Sequence, residues 1–228
     1  MAESRTAEAY YVERMGEELG PLFHALWQEV IQLRLQWGEY VELFGKKRTR
    51  VDLMNKAAPA FFRMIQDLLF EQTLLSIARL TDPPFTSGKE NLTIQRLTGC
   101  INHDATAQEV ARCTGDAVKA AEFCRDRRNR LIAHRDLPLA IGKQEKAGPL
   151  ESASRNKVEA ALSAIERAVK TTGEHYEDTT ITFELASHPW GAEWMLWILM
   201  LGVKAEAERR ARLERGELTS EDLDYEDV

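Results

Sequence analysis

PLFHALWQEVIQLRLQWGEYVELF, residues Pro21 to Phe44, places Phe23, Trp27, Val30, Trp37, Val41 and Phe44 at spacings of three, four and seven. At ~100° per residue these positions gather on one broad stripe, which predicts a helix with one face in a core. Pro21 suits the first position of that helix, and Gly20-Pro21 predicts the stop of an earlier one running from Ser4 to Leu19. Downstream, Gly45 to Arg50 reads as a basic loop. Asp52 opens a third helix that bends at Pro59 and runs to Asp82, where Asp82-Pro83-Pro84 ends it. Pro83 to Asn91 reads as a long loop and Leu92 to Ile101 as a short helix. A long helix from Asp104 to about His134 follows, with Val110, Cys113, Val118, Ala121, Leu131 and Ile132 on its buried side. Pro138 and the stretch from Gly142 to Gly148 form a second long loop. The sixth helix runs from Ser152, with Ser154 to Lys157 as its first turn, to Tyr176.

One segment reads as a strand: Ile181, Phe183 and Leu185 alternate with Thr180, Thr182 and Glu184. A lone strand lies on a helix surface or pairs with its own copy across a two-fold axis. Pro189 then starts a last helix in which Trp190, Trp194, Met195, Trp197, Ile198, Leu199 and Leu201 leave little polar face, so it is expected to be covered on more than one side, as in a dimer. No internal repeat or linker interrupts the pattern. The expected organisation is all-α, with about six or seven helices and at most one short strand. Residues 1–216 form a single helical domain with an N-terminal helix and a C-terminal extension, and 217–228 form an acidic, disordered tail.

Composition fits this reading. Of 228 residues, 44% are hydrophobic and 29% charged, too apolar for a disordered chain. The longest apolar run, Trp194 to Val203, is half of the ~20 residues that cross a bilayer, so no membrane span is expected. The polar, acidic opening Met1-Ala2-Glu3-Ser4 does not resemble a secretory signal, and a cytoplasmic location is expected. Cys100, Cys113 and Cys124 lack the spacing of a zinc knuckle or a disulfide framework and read as reduced thiols. On a chain of net charge −7, two islands stand out. One is Lys46, Lys47, Arg48 and Arg50; the other runs from Arg112 to Arg135 and holds seven basic residues against three acidic ones. Such islands on an acidic body suit a protein that meets a polyanion at one place, although charge runs are commonly solvated faces.

Several chemistries are excluded by what the motifs lack. His134-Arg135-Asp136-Leu137 matches a kinase catalytic loop by letter, yet Ile141 stands where that loop needs a metal-holding Asn. The five histidines, His24, His103, His134, His175 and His188, never pair at ligand spacing, so neither a metal nor a cofactor is expected. What remains is Cys124-Arg125-Asp126-Arg127-Arg128-Asn129-Arg130-Leu131-Ile132-Ala133-His134. Cleaving RNA without a metal needs a base for the 2′-hydroxyl, an acid for the leaving oxygen and a cation for the charge gathering on phosphorus. Histidine can serve as base and acid, and arginine as cation. The same residue types at a helix end also serve simply to oppose its dipole, so the pattern alone leaves both readings open.

Arg128-Asn129-Arg130-Leu131-Ile132-Ala133-His134, with five residues between Arg128 and His134, resembles the signature of the HEPN superfamily. Together with Ala133-His134-Arg135-Asp136, Leu53-Met54-Asn55 and Ile77-Ala78-Arg79-Leu80-Thr81-Asp82-Pro83, it resembles the AbiU-like branch associated with abortive phage infection, over about residues 20 to 205. The resemblance implies an up-and-down helical bundle that dimerises so that two Arg/His motifs share one cleft. It implies metal-independent endoribonuclease activity in many members and RNA or protein binding without catalysis in others. On it, Arg128, Asn129 and His134 are the expected catalytic residues. Arg125, Arg127, Arg130, Arg135, Lys46, Lys47 and Arg48 are expected to bind RNA. A homodimer is the expected assembly, and an antitoxin protein a possible further partner. The rival expectation is a non-catalytic dimeric module using the same basic face.

Overall fold

The computed structural model describes residues 6–134, 136–142, 148–177, 183, 190–219 and 222. Nine α-helices account for most of the described residues, and the only sheet among them is a two-stranded hairpin, so the all-α class holds. Helix α1, Ala7–Tyr40, passes into a π turn at Val41–Gly45. Helices α2, Arg48–Ala57, and α3, Pro59–Leu80, follow, then strands β1, Phe85–Thr86, and β2, Lys89–Glu90. A 3₁₀ turn, Ile94–Arg96, leads into α4, Leu97–Cys100, and then α5, Asp104–Ala120. Helix α6, Glu122–Arg127, gives way to a second π turn, Arg128–Ile132. Helices α7, Leu137–Ala140, α8, Arg155–Tyr176, and α9, Ala192–Glu214, complete the chain.

Several boundaries differ from the sequence expectation, among them Pro138, expected in a loop, which sits in the first turn of α7, where a proline costs no helical hydrogen bond. The first break falls at Gly16, whose φ of 86° only glycine adopts without strain, and not at Gly20-Pro21. Gly20 serves a different purpose: a Cβ there would come within 2.6 Å of the Val12 backbone, so it permits the two segments of α1 to pack closely. The supposed basic loop is half helix, because Arg48, Thr49 and Arg50 form the first turn of α2. Pro59 ends α2 outright instead of bending it, since Ala58, with φ −156° and ψ 73°, is kept out of the helical region by the proline that follows. The long helix expected from Asp104 to His134 is interrupted at Ala121, with φ −90° and ψ 0°, and again by the second π turn. The loop after Pro83 contains the small hairpin, turned by Ser87 and Gly88 at φ 51° and 76°. Positive φ at both turn positions matches the right-handed twist of the strands.

The chain forms two compact units, Met1–Trp37 with Leu69–Leu185, and Gly38–Leu68 with Ala186–Val228. Two of the divisions fall inside α1 and α3, and the third, between Leu185 and Ala186, lies outside the described residues. In the first unit α5 packs along α8, burying Val110, Cys113 and Ala117 with Val158, Leu162, Ile165 and Val169. Of the stripe read from the sequence, Phe23, Val30 and Trp37 are buried in this core together with Leu26 and Leu33, which the stripe did not include, while Trp27 is half-buried and meets the Phe183 ring at a tilt, with centroids 4.6 Å apart. The rest of the strand-like segment lies outside the described residues. Arg34 fixes α1 to α8: its guanidinium donates to Glu166 at 2.5 and 2.6 Å and to Glu159 at 2.9 Å, and the Trp37 indole donates to Glu159 at 2.6 Å.

In the second unit α9 packs on α2 and the first π turn. Glu39 accepts the Ala192 N–H at 2.5 Å, satisfying one of the open donors at the start of α9. Helix α9 buries Ala192 and Leu196 but leaves Trp194, Trp197, Ile198 and Leu201 exposed at 42–48%. Of the acidic tail, Asp222 accepts hydrogen bonds from Arg212 at 3.0 Å and from the Thr219 hydroxyl at 2.7 Å; most of its remainder lies outside the described residues. No helix among the described residues is long and apolar enough to cross a membrane.

Candidate active site

The Arg/His segment sits on the π turn, where the Ala133 N–H reaches back five residues to the Arg128 carbonyl at 2.7 Å. Such turns insert one residue per turn and redirect the side chains around them, and they concentrate at functional positions. Arg128 is held from two directions. Its Nε donates to Asn129 Oδ1 at 3.1 Å, and its Nη1 donates to the carboxylate of Asp82 in a short ion pair. The pair is largely buried, with Arg128 20% and Asp82 15% exposed. Nη2 makes no hydrogen bond among the described residues.

Asp82 follows the last turn of α3, where carbonyls lack intrahelical donors. Those carbonyls are satisfied from elsewhere in the chain. Thr93 Oγ1 donates to Leu80 O at 3.0 Å, and Gln95 Nε2 donates to Thr81 O at 2.8 Å and Asp82 O at 3.0 Å. Arg125 Nη2 donates to Thr81 O at 3.3 Å, while its Nε lies 3.7 Å from Asp82. Asp82 therefore stands on a fixed platform, and Arg125 helps to build that platform.

The other arginines of the segment are also engaged. Arg127 Nε donates to Glu151 O at 3.0 Å. Arg130 donates to Gly148 O at 3.0 Å and pairs with Asp126 at 3.3 Å and Asp136 at 3.7 Å, tying the far side of the loop to the turn. His134, just beyond the π turn, is exposed, and its ring hydrogen-bonds to nothing among the described residues. Asn129, five residues before it, is also exposed. Arg135 lies outside the described residues. Lys46, Lys47 and Arg48 are exposed, but they belong to the second unit, whereas Arg128 and His134 belong to the first. Cys124, behind the segment, is an inert thiol, its pKa pushed up to about 12 by burial. Among the described residues no three His, Cys, Asp or Glu side chains gather as a metal set.

Arg128 and Asn129 share a hydrogen bond, and Asp82 joins them from a position 46 residues upstream that motif spacing gave no reason to select. Its one signal was its place in the Ile77 to Pro83 stretch. The family model HEPN_AbiU2, described as AbiU2, matches residues 16–192. The chain belongs to the HEPN_AbiU2 family. The span that matches starts at the Gly16 break, contains Asp82 and the whole of Arg128 to His134, and ends at Ala192, the first residue of α9. Neither the curated proteins nor the solved structures give a match to this HEPN_AbiU2 chain.

Proposed function

We propose that the protein is a metal-independent endoribonuclease whose cleft combines Arg128, Asn129 and His134 of two protomers. The observation that supports this most is the state of Arg128: a guanidinium held by Asp82 and Asn129, with Nη2 making no hydrogen bond among the described residues, at the start of a π turn that an exposed histidine follows. A generic phosphate-binding patch has no need of an arginine held in this way. In the reaction, the 2′-oxygen attacks phosphorus and the bond to the 5′-oxygen breaks. One His134 takes the proton of the 2′-hydroxyl, and the protonated His134 of the second protomer gives a proton to the leaving 5′-oxygen. Histidine suits both halves because its charge changes near neutral pH. Arg128 stabilises the added negative charge on the phosphorane, and preorganisation by Asp82 spares it from reorienting as that charge develops.

In this reading Arg125, Arg127 and Arg130 act mainly by holding the turn. Lys46, Lys47 and Arg48 contact the RNA backbone. The half-exposed tryptophans of α9 offer an apolar face of the kind that self-association covers. The test is incubation of total RNA with the purified protein in EDTA. Cleavage that persists in chelator and disappears in His134→Ala supports the enzyme. Binding of RNA without cleavage assigns the same residues to a binding module instead.

A further inference from the structure

Asp82, which holds Arg128, also lines a cavity of ≈ 270 Å³ whose other walls are Glu29, Arg79, Leu80, Glu90, Asn91 and Leu92. This is just below the ~300–1,000 Å³ of pockets for drug-sized ligands, a size that suits one flat heterocycle and not a stretch of chain. Leu80 and Leu92 supply apolar surface. Asn91 is fixed, its amide donating to Pro83 O at 2.7 Å and Thr86 Oγ1 at 2.8 Å. Arg79 and Glu29 stand at the surface, 52% and 42% exposed, with 3.5 Å between their charged groups.

Its three acids are each paired with an arginine, Glu29 with Arg79, Asp82 with Arg128 and Glu90 with Arg96 at 3.7 Å, so the lining presents acceptors and donors without excess charge. It favours a neutral ligand that offers N–H donors to carboxylates and acceptors to an arginine. Among nucleobases guanine meets both demands in paired form. Its N1–H and N2–H₂ lie on one edge, and its O6 and N7 on another, the edge that arginine reads most often. Uracil has no amino group and no such acceptor pair. The geometry points to a nucleobase subsite selective for guanine, placing that base next to the phosphate that Arg128 receives. This rests on the reading of the chain as an RNA-cleaving protein only in that base and phosphate belong to one strand.

The test is calorimetric titration of the full-length protein with guanosine 3′-monophosphate and, separately, uridine 3′-monophosphate. The parent is expected to bind the guanosine nucleotide about tenfold tighter or more, the discrimination of one good bidentate contact. Glu29→Gln and Arg79→Ala, both at exposed positions, should bring the two affinities within about twofold of each other by removing that contact. Arg128→Ala should weaken both nucleotides and leave their ratio unchanged. Equal affinity in the parent, including no binding of either, overturns the subsite, as does a guanine preference that survives both pocket variants. A protein that prefers guanosine yet leaves RNA intact in chelator keeps the subsite and rejects the nuclease. One that cuts RNA equally beside all four bases does the reverse.

Discussion

The two basic islands look alike as charge counts and differ in what holds them. The first adjoins a π turn and the second contains one, and each meets an acid outside itself that gathers cations. In the first island the acid is local: Glu42 takes Lys46, four residues on, and Arg50, eight residues on, at 2.5 Å. In the second the acid is Asp82, delivered from the end of α3 and fixed by Thr93, Gln95 and Arg125. A local acid anchors the start of a helix. An acid brought from another element sets the direction in which an arginine points. Long-range fixation of a cation six residues before an exposed histidine separates a candidate site from a solvated face.

The largest effect should come from the second island. His134→Ala is expected to lower kcat for RNA by about 10²–10⁴-fold, and Arg128→Ala by about 10²–10³-fold, with little change in melting temperature for the exposed histidine. Steady-state kinetics with circular dichroism melts checks both, and a histidine variant that melts early while its kcat stays normal would erase the distinction between the islands. Asp82→Asn tests the fixed acid itself. Losing the charge that aims Arg128 should cost about tenfold to a hundredfold in kcat with KM little changed, as expected for misplacement of a catalytic group. A rise in KM alone would mean that Asp82 only shapes the binding surface.

Smaller effects belong to the first island. The double variant Lys47→Ala, Arg48→Ala should raise KM a few-fold with kcat unchanged, and should lower the slope of log affinity against log salt by about one for each phosphate that is no longer neutralised. The smallest concerns stability in acid. Burial pushes the Glu42 carboxyl up, but hydrogen bonds from Lys46 and Arg50 outweigh it and leave its pKa lowered. A lowered folded pKa stabilises the fold above the ordinary carboxylate value of ~4.3, and that contribution is lost as pH falls through the folded value. Melting temperature should therefore fall more steeply with acid, below about pH 4, in the parent than in Glu42→Gln; identical slopes would show that the local pair contributes nothing.

The helical class was legible because Phe23, Val30 and Trp37 repeat with a period that local geometry dictates. Helix ends were less legible. Gly20 and Gly16 look equivalent in the sequence, and only the approach of Val12 shows that one permits packing while the other turns the chain. Arg128, Asn129 and His134 could be proposed because they lie within seven consecutive residues. Asp82 could not be chosen from motif spacing, because its partnership with Arg128 depends on tertiary packing at the end of α3. The engagement of Arg125, Arg127 and Arg130 was hidden for the same reason: their partners are mostly backbone carbonyls and acids that folding brings close.

The central claim is that Arg128 and His134 act directly on the RNA 2′-hydroxyl and phosphate. Analysis of product ends after cleavage of a defined oligonucleotide in EDTA tests it most directly. Products ending in a 2′,3′-cyclic phosphate and a 5′-hydroxyl, absent with His134→Ala, are the predicted result. Products ending in a 3′-hydroxyl and a 5′-phosphate, or no cleavage until a divalent metal is added, would contradict it.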